Sequence, residues 1–274
     1  MTNLRAAEPR VKLTLLGALP RNLYLLSELV RRDFSMRFAG STLGIAWAVL
    51  QPLSLVVLYW FVFTQIFDGP RTGEGGAAYG NYAHFLISGL LAWIGFQEGI
   101  ARGTSSISEN ATLVRRLTFK TEMLVLVPNI SALIFETIGI LLFLGYLLLT
   151  GHSLWNVWLL PFALVLQLGL QTGISLALAT LQVFIRDVGQ VLGFALSILF
   201  YLSPILYRVE GSEWEKVFVW NPLTPLLGLF RSAILSEPLP QAASIVILLV
   251  VAGAAFTGGL LFLRRAQPNL ADLI

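Results

Sequence analysis

Long apolar runs alternate along the chain with short segments that hold nearly all of the charged residues. A helix needs about 20 apolar residues to cross the hydrocarbon core of a bilayer, so runs of that length predict membrane spans. Six such runs cover residues 43–67, 83–101, 123–149, 155–184, 188–207 and 241–263. The pattern predicts an all-α integral membrane protein with six transmembrane helices, organised as one domain over residues 1–274 with an N-terminal tail at 1–18.

The lysines and arginines gather on one side of this predicted topology. Fourteen of the 18 lie before span one, between spans two and three, between spans four and five, or after span six. The other side carries Arg71, Arg208, Lys216 and Arg231. Because short cytoplasmic loops are rich in Lys and Arg, both termini are expected in the cytoplasm, as in a multi-pass protein of the plasma (cell inner) membrane.

The composition narrows the possible chemistry. Charged residues make up 12% of the 274 positions, about half the share in a soluble domain, which excludes an ordinary soluble fold. The chain has no cysteine and two histidines, which excludes disulfide scaffolds, thiolate metal sites and histidine-rich metal centres. A net charge of +3 is too small to indicate a nucleic-acid partner. We expect no catalytic residue and no bound metal.

Two segments on the cytoplasmic side are expected to form helices that do not span. Residues 19–39 form an amphipathic pattern, which indicates a helix in the membrane interface, either as an anchor on anionic headgroups or as a docking surface. Residues 105–120 predict a short helix with Ser105, Ser106 or Ser108 as its N-cap. Its apolar residues exceed what a solvated connector needs, so another surface should cover them: Ile107, Leu113, Val114, Leu117 and Phe119.

The segment 210–236, between spans five and six, is too charged and proline-rich to span but too apolar for a solvated loop. It predicts two short helices at the external face. Pro222 and Pro225 suit a break or a helix start rather than a helix interior.

Polar and aromatic residues form a stripe on spans one and five. On a helical wheel, the first stripe falls within an arc of about 80°. The span-one stripe contains Trp47, Gln51, Ser54, Leu58, Phe61 and Gln65, and the span-five stripe contains Gln190, Phe194, Ser197, Tyr201, Pro204 and Arg208. Amides and hydroxyls avoid lipid, so both stripes should face protein or a water-accessible path. Rings together with amides suit a carbohydrate, although hydrogen bonding between helices of a bundle would need the same residues.

Glu136 lies near the middle of span three and Glu98 near the cytoplasmic end of span two. A carboxylate at mid-bilayer costs roughly 2.5–3.5 kcal/mol, so Glu136 needs a partner or a wet site. A structural hydrogen bond to a neighbouring span is one interpretation, and a role in ion-coupled transport is the other.

Five strings now become informative: RRDFSMRFAGSTLGIAWAVLQP (31–52), SENATLVRRLTF (108–119), FIRD (184–187), SPILY (203–207) and NPLTPLLGLFR (221–231). With these strings the chain resembles the membrane-spanning permease subunit of type 2 ABC exporters for O-antigen, capsular polysaccharide or teichoic acid. Lys120 departs from the pattern, since many relatives have proline after the aromatic residue.

The resemblance implies a homodimer joined to two copies of a separate ABC ATPase. The ATPase would bind the ATP and Mg. This chain lacks a GxxxxGK[ST] phosphate loop and is expected to bind no cofactor itself. The segment 105–120 would be the helix that couples to the ATPase. Carried onto this sequence, the coupling candidates are Ser108, Glu109, Asn110, Leu113, Arg115, Arg116, Leu117 and Phe119. The segment Arg31–Phe38 would lie close by.

The resemblance also implies the cargo and its path. Spans one and five would border a conduit, with Trp47, Gln51, Ser54, Phe61, Gln65, Gln190, Phe194, Ser197 and Tyr201 as lining candidates. The cargo would be a glycan linked to an undecaprenyl-phosphate-type lipid, and guanidinium groups suit its phosphates. Candidates at the cytoplasmic entrance are Arg31, Arg32 and Arg37, and candidates for an external gate within 210–236 are Trp214, Phe218 and Trp220.

Three other functions remain open at this point. The chain could be a type 2 ABC exporter of another lipid-like or small-molecule substrate, or an ion-coupled secondary transporter that uses Glu136. An intramembrane transferase is disfavoured, because such enzymes usually cluster acidic residues around a divalent ion, whereas Asp33, Glu109 and Asp187 stand apart in the sequence.

Overall fold

The computed structural model describes residues 15–62, 76–114, 120–209, 213, 215–218 and 220–273, and all regular structure in these residues is helical. The α-helices are α1 (Leu15–Arg37), α2 (Trp47–Phe61), α3 (Gly76–Glu109), α4 (Ala111–Val114), α5 (Thr121–Leu149), α6 (Leu160–Phe184), α7 (Val188–Leu202), α8 (Glu215–Phe218), α9 (Leu223–Leu235) and α10 (Ala242–Leu273). Short 3₁₀ turns at Gly44–Ala46 and Val157–Leu159 lead into α2 and α6. The predicted all-α fold is confirmed.

In the part of the chain that the structure describes, four helical segments are long and apolar enough to cross a membrane: Gly44–Phe61, Thr121–Leu149, Val157–Phe184 and Ala242–Pro268. They correspond to predicted spans one, three, four and six. Predicted span two lies within α3, which has 34 residues but a more polar composition. Predicted span five corresponds to α7, which has 15 residues.

Helix α7 stops at Leu202, before the predicted end of span five at residue 207. Proline disfavours helical backbone in the residue before it, and Ser203, which precedes Pro204, is extended at φ −104° and ψ 144°. The Pro204 and Arg208 positions of the predicted stripe therefore lie beyond the helix.

The core of the bundle lies where α3, α5 and α6 pack together, with fully buried side chains such as Phe96, Ile140, Phe143 and Leu170. Among the described helices, α6 and α10 share the most extensive contact. Gly173 of α6 and Gly259 of α10 bring the two backbones together at a point where neither helix has room for a Cβ atom. Of the small residues in span six, Ala252 and Gly259 are buried, whereas Ala254 and Gly258 are exposed.

Helices α2 and α7 lie at the outside of this core. Each buries only two of its 15 residues: Ala48 and Val56 in α2, and Val188 and Leu196 in α7. Most of both surfaces is therefore left uncovered by the chain itself.

Helix α1 agrees with the helix predicted at 19–39 and packs against α5. The contact is aromatic, because Phe34 and Phe38 both pack on Phe135, with ring centroids 4.8 and 5.4 Å away. Val30 is buried on the same face, whereas Leu23 is 62% exposed.

The N-cap predicted for residues 105–120 is wrong, because α3 continues through Glu109. Ser105 and Ser106 lie inside its last turns, and their hydroxyls donate back to the carbonyls of Arg102 and Gly103. The helix continues because Ile107 is fully buried in a second, smaller cluster of apolar side chains, which includes Val125 and Leu176. The surface that was expected to cover Ile107 is thus part of this chain. The next helix, α4, begins only at Ala111.

Two short helices, α8 and α9, occupy the segment where they were predicted. Pro222 precedes the first residue of α9, as expected for a helix start. Ten of the 13 residues of α9 are buried, and it packs on α3 and α6.

Candidate functional site

The candidate stripe on α2 is exposed along its described length. Trp47 is 42% exposed and Phe61 49%, and Gln51 and Ser54 are exposed beside them. Ser54 donates to the carbonyl of Gln51 at 2.8 Å, so its hydroxyl is used within its own helix. Gln65 lies outside the described residues.

The candidate stripe on α7 is more exposed still. Phe194 is 70% and Tyr201 67% exposed, and Gln190 and Ser197 are exposed on the same side. The Ser197 hydroxyl donates to the carbonyl of Gly193 at 3.0 Å. The hydroxyls of both stripes thus bond within their own helices, and the rings and amides face outward from a single copy of the chain.

The interior of the bundle contains a ladder of polar side chains that the sequence analysis missed apart from Glu136. Gln167 of α6 donates to Glu136 of α5, Gln171 donates to the carbonyl of Asn129 at 3.1 Å, and Ser175 contacts the Asn129 amide oxygen at 3.4 Å. All five side chains are buried. The hydrogen bond between Gln167 and Glu136 joins α6 to α5, as the structural interpretation of Glu136 expects.

Three glycines of α3 face this polar ladder. A Cβ atom at Gly95 would overlap Glu136, one at Gly99 would lie 2.9 Å from Gln171, and one at Gly103 would lie 2.6 Å from Asn129. The spacing of four residues was visible in the sequence as a GxxxGxxxG pattern, which permits close helix approach in membranes. That pattern could have pointed to the buried polar ladder.

A network of ion pairs joins α1 to α3. Arg37 makes a two-point contact with Glu98, and its guanidinium also lies 3.8 Å from the centroid of the Phe135 ring. Arg102 of α3 pairs with Asp33 at 2.6 Å. Of the three entrance candidates, Arg31 and Arg32 are exposed, whereas Arg37 is held by Glu98.

A cavity of about 420 Å³ lies beside this network, between α1, the end of α3 and the start of α5. Arg32, Arg102 and Glu109 contribute charged groups to its wall. Two coupling candidates line it: Glu109 is exposed at the end of α3, and the Asn110 amide donates to the carbonyl of Ser106. Ser108 is exposed beside Glu109. Leu113 lies in α4, although its side chain is outside the described residues, as are Arg115, Arg116, Leu117 and Phe119.

The gate candidates lie around α8. The Phe218 ring meets the Tyr207 ring edge to face, with centroids 5.8 Å apart, and Trp220 is 74% exposed. Trp214 lies outside the described residues.

The sequence model of the ABC-2 type transporter family matches residues 24–235. The chain is 27% identical over 247 residues to the O-antigen export system permease protein RfbA of Myxococcus xanthus, which covers 85% of this chain and 90% of the relative. A protein of the same name from Klebsiella pneumoniae is 25% identical, with 78% of this chain and 82% of the relative covered. The polysialic acid transport protein KpsM of Escherichia coli is 23% identical over 78% of this chain and 82% of its own length. The family match extends from α1 through α9, and the chain belongs to the ABC-2 type transporter family.

Proposed function

We propose that this chain is the conduit-forming permease subunit of an ATP-driven exporter that moves a lipid-linked polysaccharide out of the cytoplasm. The observation that carries the proposal is the outward face of α2 and α7, where rings and amides are left uncovered by the rest of the chain. Polar side chains on such a face are unfavourable in contact with lipid. Rings and amides together suit the C–H faces and hydroxyls of a glycan. The names of the relatives, which refer to export of O-antigen and polysialic acid, support the same cargo class.

The proposed topology has six spans, formed by α2, α3, α5, α6, α7 and α10, with both termini in the cytoplasm. Helix α7 is about 22 Å long at 1.5 Å per residue, so the non-helical residues that follow Leu202 would complete its crossing. Most residues of α3 between Ala83 and Ile100 are buried in the bundle, and its glycines face the buried ladder, which supports α3 as a span despite its composition.

Two copies of the chain would assemble around the conduit. In a two-fold dimer each copy contributes the same surface, so the exposed stripes of α2 and α7 from both copies could enclose one passage. Trp47, Gln51, Ser54, Phe61 and Gln65 would line it from α2, and Gln190, Phe194, Ser197 and Tyr201 from α7. The α8 and α9 segment, with Trp214, Phe218 and Trp220, would close its outer end.

A separate ATPase would drive the movement, since this chain has no phosphate loop. The proposed contact is α4 with the residues on either side of it, from Ser108 to Phe119. The ion pairs of α1 with α3 end close to this contact, so a push on α4 would reach α1 and then α2. Nucleotide can move these helices only by binding one of two states more tightly.

The lipid phosphates would meet the protein at α1. Arg31 and Arg32 are exposed and fit this role, because guanidinium groups bind phosphate oxygens in pairs. Arg37 is engaged by Glu98 and would contribute mainly by fixing α1 against α3.

The test is reconstitution of the chain with its ATPase in vesicles loaded with the lipid-linked glycan of the source organism. We expect transport only when both proteins and ATP are present. Leu113→Asp should abolish transport while the ATPase still hydrolyses ATP, because an acidic residue in α4 would disrupt an apolar contact with the ATPase. Thr112→Asp, at an exposed neighbouring position of α4, is the matched control. Glycan movement by the chain alone would contradict the proposal.

A further inference from the structure

A second cavity, of about 380 Å³, lies between the segment that follows α7, helix α9 and the segment that joins α9 to α10. Its volume falls within the range of small-molecule sites, which is roughly 300–1,000 Å³. Tyr207, Arg208, Phe218, Thr224, Glu237 and Gln241 are among the residues in its wall. Pro204 and Arg208, the last two members of the predicted span-five stripe, also lie in its wall.

One pair of charged side chains spans this cavity. Arg208, beyond the end of α7, donates to Glu237, beyond the end of α9, at 2.7 Å. Over half of the Arg208 side chain remains exposed, which leaves further donors within reach of a ligand. The planar guanidinium group of an arginine can make two parallel hydrogen bonds, so Arg208 can bond two neighbouring oxygen atoms of a ligand at once.

Thr224 supplies a buried hydroxyl that has no hydrogen-bond partner among the described residues, and Thr224 lines the cavity. Leaving a buried hydroxyl unpaired is unfavourable, so such a group marks a place where a ligand or water completes the bonding. Gln241 and Ser244 add an amide and a second hydroxyl to the wall.

Two rings form the apolar part of the wall. The Tyr207 hydroxyl donates to the carbonyl of Tyr201 at 2.8 Å, which fixes the ring, and Phe218 packs against it at 74°. Flat rings pack against the C–H faces of sugars, while amides, hydroxyls and charged pairs bond the sugar hydroxyls.

We propose that this cavity binds one sugar unit of the exported glycan at the outer end of the conduit. The proposal rests on the proposed function, because it takes the cargo to be a glycan and this end of the molecule to be external. Binding here would hold the leading part of the polymer between transport steps.

The absence of native cysteine allows a direct test on the full complex with its ATPase. Leu239→Cys places a single thiol in the cavity wall, and Leu149→Cys, at a residue 90% exposed near the same proposed face, is the control. Both variants are treated with a membrane-impermeant maleimide, with or without the glycan released from its lipid, a panel of neutral monosaccharides, or glycerol 3-phosphate.

We expect the released glycan or a monosaccharide to slow labelling of Leu239→Cys about tenfold when the sugar is at about nine times its dissociation constant, because a tenth of the sites stay open. Labelling of Leu149→Cys should not change. Adding Thr224→Val to Leu239→Cys should weaken the protection, because Val keeps the shape and removes the hydroxyl.

Three outcomes would overturn the inference: no protection by any sugar, equal protection of both thiols, or protection by glycerol 3-phosphate alone, which would identify a lipid-headgroup site. Glycan export by the Leu239→Cys complex is measured in parallel. Export without protection refutes this site and leaves the proposed function intact, whereas absence of glycan export from the complex assembled with the cysteine-free parent chain refutes the proposed function itself.

Discussion

Gly173→Ala should lower the midpoint of thermal unfolding by roughly 5–10 °C, because overpacking a tight contact costs about 1–3 kcal/mol. The new Cβ atom would meet the backbone of Ala255 and Phe256, which cannot rotate away as a flexible side chain could. The two helices would have to separate at Gly259, where α6 and α10 approach most closely. The measurement is thermal unfolding of the purified protein in detergent.

Gly169→Ala is the matched control, one turn earlier in the same helix. A Cβ atom at Gly169 would meet no other atom within 4 Å, so alanine should be neutral or stabilise the helix by about 0.5–1 kcal/mol. The two identical substitutions are therefore expected to have opposite signs. Equal effects would show that α6 and α10 are not in backbone contact at Gly173.

Glu98→Ala should destabilise the protein by about 3 kcal/mol, because removing one partner of a buried ion pair leaves the other uncompensated. The side chains of Arg37 and Glu98 are about one-fifth exposed, so we take the lower end of the range for buried pairs. Arg102 would lose its second carboxylate, 3.6 Å away, and keep only Asp33. Denaturant unfolding in detergent measures the change.

Glu28→Ala, at an exposed position of α1, should change stability by less than about 0.5 kcal/mol. A double-mutant cycle with Arg37→Ala isolates the pair. Once either partner is gone, removing the other should cost much less, so the double variant should be more stable than the sum of the single losses predicts. Strict additivity would mean that Arg37 and Glu98 do not interact.

Hydropathy predicted the helical class and the approximate position of each apolar helix, because lipid leaves few alternatives to a helix. It was less reliable at helix ends, because single residues determine where a helix begins or ends. The serines at 105–108 were expected to start a helix but lie inside α3, because burial of Ile107 favours continuing the helix over capping a new one. Hydropathy also placed the end of span five beyond Ser203, although the proline that follows Ser203 ends α7.

The stripes of α2 and α7 could be predicted because helical spacing alone places their residues on one face. For the polar ladder around Gln167, the sequence offers only the glycine spacing of α3. Its bonding partners could not be predicted, since they come from different helices and a wheel drawn for one helix does not report which neighbour it meets. Likewise, the charge of Arg37 suggested a phosphate contact, while its pairing with Glu98, 61 positions along the chain, appears only in the fold.

Single-cysteine labelling in the assembled exporter tests the central claim most directly, because the chain has no native thiol. Gln51→Cys and Tyr201→Cys lie on the two stripes, and Leu53→Cys and Leu202→Cys lie on the same helices, exposed in one subunit but off the stripes. The account predicts that a water-soluble thiol reagent labels the first two, that bound glycan slows this labelling, and that the last two stay unreactive in lipid. Labelling of Leu53→Cys and Leu202→Cys, with Gln51→Cys and Tyr201→Cys protected by acyl chains, would contradict it.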